Sequence, residues 1–246
     1  MKRKQCAYRV EQDQNFVSVF ASVLCLLDHC LQTGQVPHII FDETSFSARK
    51  WETLFEPIDL YPDEETGIDG SEYFHPPYPA LVGRVFPSSE EQRIYVNRLF
   101  RYLKIREEIR EEAKREMPLP PRFIGCYADF TTALKGWESA LNNKKLEDPI
   151  ILDYVFGIRN YQEKHPRAKV LLATDSSELK NALTRFEFLN IGLLVDEDNP
   201  ELILKSMIRM TDAQYFVCSY SEYSAIVLSM NPKLVHYNVS YWMNMS

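Results

Sequence analysis

The pattern of apolar and polar positions alternates along the chain between helical periodicity and short uninterrupted apolar runs. In the segment 169–175, four apolar residues stand in a row and are followed by Thr174 and Asp175. Such a run is typical of a parallel strand that is covered on both faces. Ligands of open parallel sheets bind outside the carboxyl ends of the strands, so Thr174 and Asp175 are expected to border a crevice. The same residues also fit a simple helix cap, because Glu178 follows at capping-box spacing.

The first half of the chain predicts a β-α-β unit. A strand at residues 6–10 precedes a polar loop at 11–15, a helix from Phe16 to Gln32 and a strand at 37–41. A parallel pair with a right-handed crossover is the default for such a unit. The loop then lies at the carboxyl end of a strand and the start of a helix, where backbone N–H groups favour anions.

Residues 43–87 contain no long periodic segment and are rich in Pro, Tyr and acidic residues. Long irregular stretches in compact proteins are usually functional or mobile. Within this one, Trp51, Phe55 and Pro57 form the pattern Trp-x3-Phe-Glu-Pro. We interpret these rings as an aromatic anchor that pins the loop to the protein.

A long helix is expected next, from Ser88 or Ser89 to about Met117. Its second half alternates Arg and Glu at spacings that give i,i+4 pairs, which indicates a solvated helical face rather than a nucleic-acid-binding one. The proline-rich segment 117–121 ends the helix and predicts a domain boundary. The predicted domains are residues 1–118 and 119–246.

The second half alternates strand and helix patterns. Strands are predicted at 122–127, 169–174, 191–195, 215–218 and 234–237, and helices at 149–162, 177–186, 199–210 and 223–230. This alternation indicates an α/β fold with a doubly wound parallel sheet.

Composition narrows the class of protein. The 246 residues are 45% hydrophobic and 26% charged with a net charge of −7, which fits a two-domain globular chain and disfavours nucleic acid as a partner. The five cysteines are odd in number and scattered, which indicates free thiols and a cytoplasmic location. The apolar run Phe16–Leu27 is about 12 residues long, shorter than the roughly 20 needed for a transmembrane segment. Glu11 and Asp13 and the lack of a cleavage site disfavour a signal peptide.

Three predicted strand ends carry polar clusters, at residues 127–132, 174–177 and 219–222. In a doubly wound sheet such ends can converge on one crevice, and short hydroxyls there suit a phosphate or a sugar. The sequence has no glycine-rich dinucleotide loop, Walker A lysine or G-x-S-x-G elbow, and its histidines are isolated. We therefore expect neither a metal nor a bound cofactor.

The order of these motifs resembles the fucosyltransferase superfamily, which includes α-1,6-fucosyltransferases, nodulation fucosyltransferases and protein O-fucosyltransferases. The resemblance is carried by a long helix, a strand containing Ile-Gly, a polar set, Leu-Leu-Ala-Thr-Asp, and Tyr-Phe-Val-Cys-Ser-x-Ser before a helix. The first half is similar too, in its strand, polar loop, helix from Phe16 and Trp-x3-Phe-Glu-Pro pattern. These motifs are short but cover most of the chain in order.

The resemblance implies two Rossmann-like domains that face each other across a cleft, as in GT-B glycosyltransferases. The second domain would hold the nucleotide sugar and the first would line the acceptor side. Asp175 would contact the base or ribose, and Ser219 and Ser221 would lie near the phosphates. The remaining implied residues are Tyr127, Thr131, Thr174 and Glu222 at the donor and Asp13, Asn15 and Phe16 on the cleft wall.

One position departs from the family pattern. The family has His-x-Arg followed shortly by Asp, whereas this chain has Tyr127-Ala-Asp129. The family's arginine balances the diphosphate charge, and a carboxylate there repels it. Either Arg122, Lys135 or Arg159 compensates, or the donor differs, or catalysis has been lost. Asp129 could also act as a general base towards an acceptor hydroxyl.

The predicted function is a metal-independent glycosyltransferase that moves a sugar from a nucleotide donor to a glycan or other hydroxyl acceptor. GDP-fucose is the donor that the family uses most. The alternative is a non-catalytic fucosyltransferase-like protein that binds a glycan, a nucleotide or a protein partner.

Overall fold

The computed structural model describes residues 3–11, 14–41, 48–61, 71–76, 81, 85, 90–129, 147–184, 189–194 and 199–239. The chain divides into two compact units, Met1–Arg110 and Glu111–Ser246. The assignment of an acceptor side and a donor side to residues 1–118 and 119–246 stays a prediction.

The first unit is built on a small parallel sheet. Its elements are β1 (Gln5–Val10), α1 (Phe16–Thr33), β2 (Val36–Phe41), α2 (Ala48–Leu54), β3 (Ser71–Tyr73), α3 (Glu90–Asn97), a 3₁₀ helix (Arg98–Arg101) and the start of α4 (Glu107–Glu116). The strand order is β2-β1-β3, and both neighbours of β1 are parallel to it. The predicted parallel β-α-β unit is therefore confirmed.

The helix α1 forms the core of the first unit. Asn15 caps its start by accepting a hydrogen bond from the Ser18 N–H at 2.9 Å, and Gly34 ends it in the left-handed conformation at φ 70°. Within the described residues this is the one helix that is long and apolar enough to cross a membrane, but 67% of it is buried inside the protein. Its apolar residues pack against the sheet and the neighbouring aromatic rings, as in a core helix.

The aromatic rings at 51 and 55 anchor the segment that follows β2. Trp51 and Phe55 are buried and stack with their centroids 4.2 Å apart, and Phe55 lies 5.1 Å from the ring of Phe20 on α1. The predicted irregular stretch therefore contains the short helix α2, held by its aromatic side chains.

The expected single helix up to about Met117 is wrong. Residues 90–116 form α3, the 3₁₀ helix and α4, with a short extended segment between the last two. In that segment Ile105 pairs with Phe55 in an antiparallel bridge, and its flanking backbone bonds to residues 54 and 56. Here hydrogen bonds to residues 54 and 56 replace the hydrogen bonds of the predicted helix. The local periodicity of apolar residues does not predict such a tertiary contact.

The second unit contains a five-stranded parallel sheet. Its elements are the rest of α4, β4 (Phe123–Ala128), α5 (Glu147–Gln162), β5 (Lys169–Thr174), α6 (Ser177–Thr184), β6 (Leu189–Leu194), α7 (Pro200–Thr211), β7 (Tyr215–Cys218), α8 (Glu222–Met230) and β8 (His236–Asn238). The strand order is β6-β5-β4-β7-β8 with every pairing parallel. The predicted alternation and the parallel sheet are confirmed.

Helices cover both faces of this sheet. On one face, Cys126 and Ala128 of β4 belong to a core cluster with Tyr154 of α5 and Leu183 of α6. On the other face, a Cβ added to Gly125 would lie 2.8 Å from the sulfur of Met210 on α7. A glycine at this position thus allows β4 to lie close to α7. The chain runs from β4 outward to β6 and then returns to β7 on the other side of β4, so the switch point lies between β4 and β7.

Candidate functional site

The sheet register brings the predicted polar clusters to one edge. Tyr127 lies beside Cys218, and Ala128 lies beside Thr174. Asp129, Asp175 and Ser219 each follow one residue later, at the carboxyl ends of three adjacent strands. The carboxyl ends of β4 and β7 flank the switch point, where ligands of doubly wound sheets bind.

The backbone at the switch point is held by Ser219. Its N–H donates to the Tyr127 carbonyl at 3.2 Å, and its hydroxyl accepts from the Asp129 N–H at 3.3 Å. Tyr154 on α5 is fully buried, which raises its pKa well above the usual value, and its interaction with the Ser219 side chain acts to lower it. Asp129 is 8% exposed and Ser219 is 9% exposed, so this junction is a largely buried structure. Ser219 therefore fixes where Asp129 lies.

Tyr127 supports the same edge from the other face of β4. Its ring stacks on Tyr223 of α8, with centroids 3.8 Å apart and planes 7° apart, and the Tyr223 hydroxyl lies 2.6 Å from that of Ser206. Burial raises the pKa of Tyr127 well above its usual value, and the charges of Asp129 and Asp175 raise it further. The phenol thus stays protonated, and it can donate a hydrogen bond but cannot act as a base.

Thr174 and Ser176 turn the chain after β5. Thr174 is fully buried, and its hydroxyl accepts from the Ser176 N–H at 3.1 Å. The Ser176 carbonyl then accepts from the Lys180 N–H at 3.0 Å, within the first turn of α6. For Thr174 the structure favours a local role, in which its hydroxyl turns the chain towards α6. Asp175 is half-buried and lies at the carboxyl edge of the sheet.

Ser221 caps α8. Its hydroxyl accepts from the Ser224 N–H at 3.3 Å and donates to the Ser224 hydroxyl at 3.1 Å. Ser221 is 7% exposed, so the capping role accounts for this side chain. Glu222 follows in the first turn of α8 and is half-buried.

The residues predicted for the first domain have mixed outcomes. Asn15 caps α1, and the Phe16 ring is 1% exposed and stacks on Phe55 at 6.3 Å, so that ring lies in the core of its unit. Asp13 and Thr131 lie outside the described residues, as does Lys135.

Sequence reasoning missed the hydrogen bonds of the Gln14 side chain at the carboxyl end of β1. The Gln14 side-chain oxygen accepts from the Tyr8 hydroxyl at 2.7 Å and from the Glu11 N–H at 3.0 Å. It also missed Tyr154 and Tyr223, whose roles depend on contacts between elements far apart in sequence. No local signal marks these tyrosines, since each falls within an ordinary helical pattern.

Two of the suggested compensating cations are at the wrong edge of the sheet. Arg122 directly precedes β4, and Arg159 lies in the last turn of α5, which leads back to the start of β5. Six residues of strand span about 20 Å, farther than an arginine side chain reaches. Neither residue therefore balances a ligand at the carboxyl ends, and this part of the sequence-based expectation is wrong.

Among the described residues, no group of three or more His, Cys, Asp or Glu side chains is placed to hold a metal ion. The five cysteines are all buried and free.

Comparison with known proteins gives matches in structure but not in sequence. No protein-family model matches the chain, and no curated protein does. The α-1,6-fucosyltransferase NodZ, in a crystal soaked with GDP-fucose, is 13% identical with a TM-score of 0.56, and the match covers 95% of this chain and 93% of NodZ. POFUT1 in complex with GDP is 12% identical with a TM-score of 0.54, and the match covers 98% and 99%.

A mutant of FUT1 from Arabidopsis thaliana, in complex with GDP, is 9% identical with a TM-score of 0.57. The match covers 96% of this chain and 71% of FUT1. Identities this low report on the fold. The chain has an α/β fold with parallel sheets, and its distant resemblance to the fucosyltransferases is confirmed at the level of that fold.

Proposed function

We propose that the chain is a glycosyltransferase that takes a sugar from a nucleotide donor and passes it to a hydroxyl acceptor. The observation that carries the proposal is the edge at the switch point, where Asp129, Asp175 and Ser219 come together. The fold is shared with fucosyltransferases whose crystals contain GDP or GDP-fucose. In finer detail, we propose GDP-fucose as the donor, two Rossmann-like domains with the reaction in a cleft between them, and no requirement for a metal.

The proposed roles follow the geometry. Asp175, half-buried beyond β5, binds the ribose or the base through its carboxylate. Ser219, just beyond the end of β7, contacts the phosphates, and its hydrogen bond to the Tyr127 carbonyl holds it in place. The Thr174 and Ser221 hydroxyls are hydrogen-bonded within the protein, so we assign these residues a role in shaping the site. The direct contacts with the donor are made by Asp175 and Ser219.

The reaction requires a base and a stabilised leaving group. The acceptor hydroxyl gives its proton to a carboxylate, which we assign to Asp129, and its oxygen attacks the anomeric carbon. The bond from that carbon to the phosphate oxygen breaks, and the nucleoside diphosphate leaves. Holding donor and acceptor in line supplies much of the rate enhancement.

Thermal unfolding with a panel of nucleotide sugars tests the proposal. The panel contains GDP-fucose, GDP-mannose, UDP-glucose and UDP-N-acetylglucosamine, each titrated to millimolar concentration. One donor should raise the midpoint in a saturable way, because a ligand that binds only the folded state stabilises it. The shift should be lost in Asp175→Ala and kept in Glu163→Ala, an exposed acidic residue at the opposite edge. The absence of any shift across the panel would reject the transferase.

A second candidate, a binding protein without catalysis, is favoured by one observation. Asp129 is a largely buried carboxylate at the position where the family places an arginine. Nucleotide release from the bound donor, measured with a mixture of glycan acceptors, separates the two candidates. Binding without release of nucleotide, in wild type and in Asp129→Asn alike, would support the second candidate. Release that falls at least a hundredfold in Asp129→Asn would support the transferase.

A cytoplasmic location is likewise a proposal, supported by the five buried free thiols. Fractionation of the native source, with the protein detected by antibody, would test it.

A further inference from the structure

The charge at the carboxyl edge of the second unit is of the wrong sign for a phosphate ligand. Asp129, Asp175 and Glu222 all lie there, whereas a nucleoside diphosphate brings negative charges of its own. Like charges repel each other strongly at close range in a partly buried site. If the donor proposed above binds here, positive charge has to come from another residue.

Most of the described Lys and Arg residues of this unit beyond residue 120 lie far from the carboxyl edge of the sheet. Arg167, Lys169 and Lys233 lie just before strands or at their first residue, and Lys164 follows α5, so all four are at the amino edge with Arg122 and Arg159. Two more cations lie on α7, away from the carboxyl edge. Arg209 is in the last turn, which leads to the start of β7, and the Lys205 ammonium lies at Glu112 and Glu116 of α4.

Lys180 is placed differently. It lies in the first turn of α6, the helix that begins directly after Asp175 and Ser176. Its N–H donates to the Ser176 carbonyl at 3.0 Å, and its side chain is half-buried. Side chains on a helix lean towards the helix start, so a four-carbon stem at residue 180 is long enough to reach back to the carboxyl edge. Leu183, one turn later, is fully buried and fixes the face that α6 turns to the sheet.

We propose that Lys180 binds the donor phosphates and offsets the negative charge of Asp129, Asp175 and Glu222 at this edge. This inference rests on the proposed function, because it concerns the same site. Lys180 then contributes to the affinity for the phosphates and makes no contact with the base or the sugar. An ammonium group interacts with phosphate as a point charge, so arginine can replace it in part.

Calorimetric titration of the full chain tests this assignment. The ligands are GDP, UDP and ADP, each with its parent nucleoside, and the diphosphate that binds most tightly is carried forward. The variants are Lys180→Gln, Lys180→Arg and the control Lys233→Gln, an exposed lysine at the opposite edge. Circular dichroism of each variant confirms that it is folded.

In Lys180→Gln the affinity for the diphosphate should fall about tenfold, the loss expected for a charge-assisted hydrogen bond, while the nucleoside affinity changes less than twofold. Lys180→Arg should keep most of the affinity, and Lys233→Gln should match wild type. A loss below threefold for the diphosphate, or an equal loss for the nucleoside, would overturn the role of Lys180. If no diphosphate binds the wild-type chain, the proposed function itself is rejected. This outcome differs from one in which the diphosphate binds wild type and Lys180→Gln equally well, which rejects only the role of Lys180.

Discussion

Replacing Lys205 by methionine should destabilise the second unit, because this lysine is a buried cation among three carboxylates. The Lys205 side chain is 4% exposed, and its ammonium lies 2.9 Å from Glu112, 3.0 Å from Glu116 and 2.5 Å from Glu201. The first two glutamates are on α4, so the lysine ties that helix to α7. Methionine keeps the length of the stem and removes only the charge and the hydrogen bonds.

The expected cost is about 2 kcal/mol of unfolding free energy. Removing one partner of a fully buried ion pair costs about 3–5 kcal/mol, and exposed pairs contribute about 0–1 kcal/mol. The carboxylate side chains are 34–51% exposed and can partly rehydrate, which places the cost between those limits.

The same cluster predicts a pH dependence. Hydrogen bonding and attraction by Lys205 lower the pKa of Glu112. Burial acts to lower the pKa of Lys205, but its hydrogen bonds to the glutamates outweigh burial and raise it. A carboxyl with a lowered pKa stabilises the fold above its unfolded pKa, and that contribution disappears as the pH falls through the folded value. The difference between wild type and Lys205→Met should be constant from about pH 6 to 9 and shrink below about pH 4.5.

Urea unfolding followed by far-ultraviolet circular dichroism, at pH 7 and at pH 4, measures both effects. The matched control is Lys114→Met, because Lys114 makes a contact of similar length, 3.1 Å, with Glu111 while its side chain is 55% exposed. The control should change stability by less than about 0.5 kcal/mol. Equal losses in the two variants, or a Lys205→Met chain as stable as wild type at pH 7, would refute the argument from burial.

Two further changes test the packing that positions the sheets. Asn15→Ala removes the cap of α1 and should cost about 1 kcal/mol in the unfolding of the first unit, whereas Asn15→Asp should cost much less, a comparison made by thermal unfolding. Gly125→Ala places a Cβ 2.8 Å from the Met210 sulfur and 3.2 Å from Phe216. It should cost about 1–2 kcal/mol in urea unfolding, and an unchanged midpoint would show that β4 and α7 move apart freely.

The sequence predicted correctly those strands and helices that are determined by the local pattern of apolar residues. The apolar run of β5 ends at Thr174 as expected, and the Tyr215–Cys218 strand has its predicted bounds. Periodicity located the helices of the second unit because each buries one face against a sheet, which imposes a 3.6-residue pattern. The convergence of the polar clusters followed from parallel topology alone, since all carboxyl ends share one edge.

The features that were missed depend on contacts between distant segments. The predicted helix ending near Met117 is interrupted because residues 104–106 bond to residues 54–56, a pairing that the helical spacing of apolar residues does not reveal. The resemblance placed Ser221 near the phosphates of a ligand, and sequence reasoning did not show that its hydroxyl caps α8. A serine at a helix start suits both roles, and only the geometry of its hydrogen bonds separates them.

The two candidate functions differ in the charge of the ligand that they require. Two contacts hold the switch point in place: the Ser219 N–H donates to the Tyr127 carbonyl and so joins β7 to β4, and the Tyr127 ring stacks on Tyr223. Asp129 places a negative charge at the position where the resemblance to the fucosyltransferases implies an arginine. A transferase must overcome that charge with a cation such as Lys180, so its affinity for the donor should fall steeply with salt. A protein that binds a neutral glycan at the same edge gains hydrogen bonds from Asp129 and Asp175, and its affinity should change little between low and high salt.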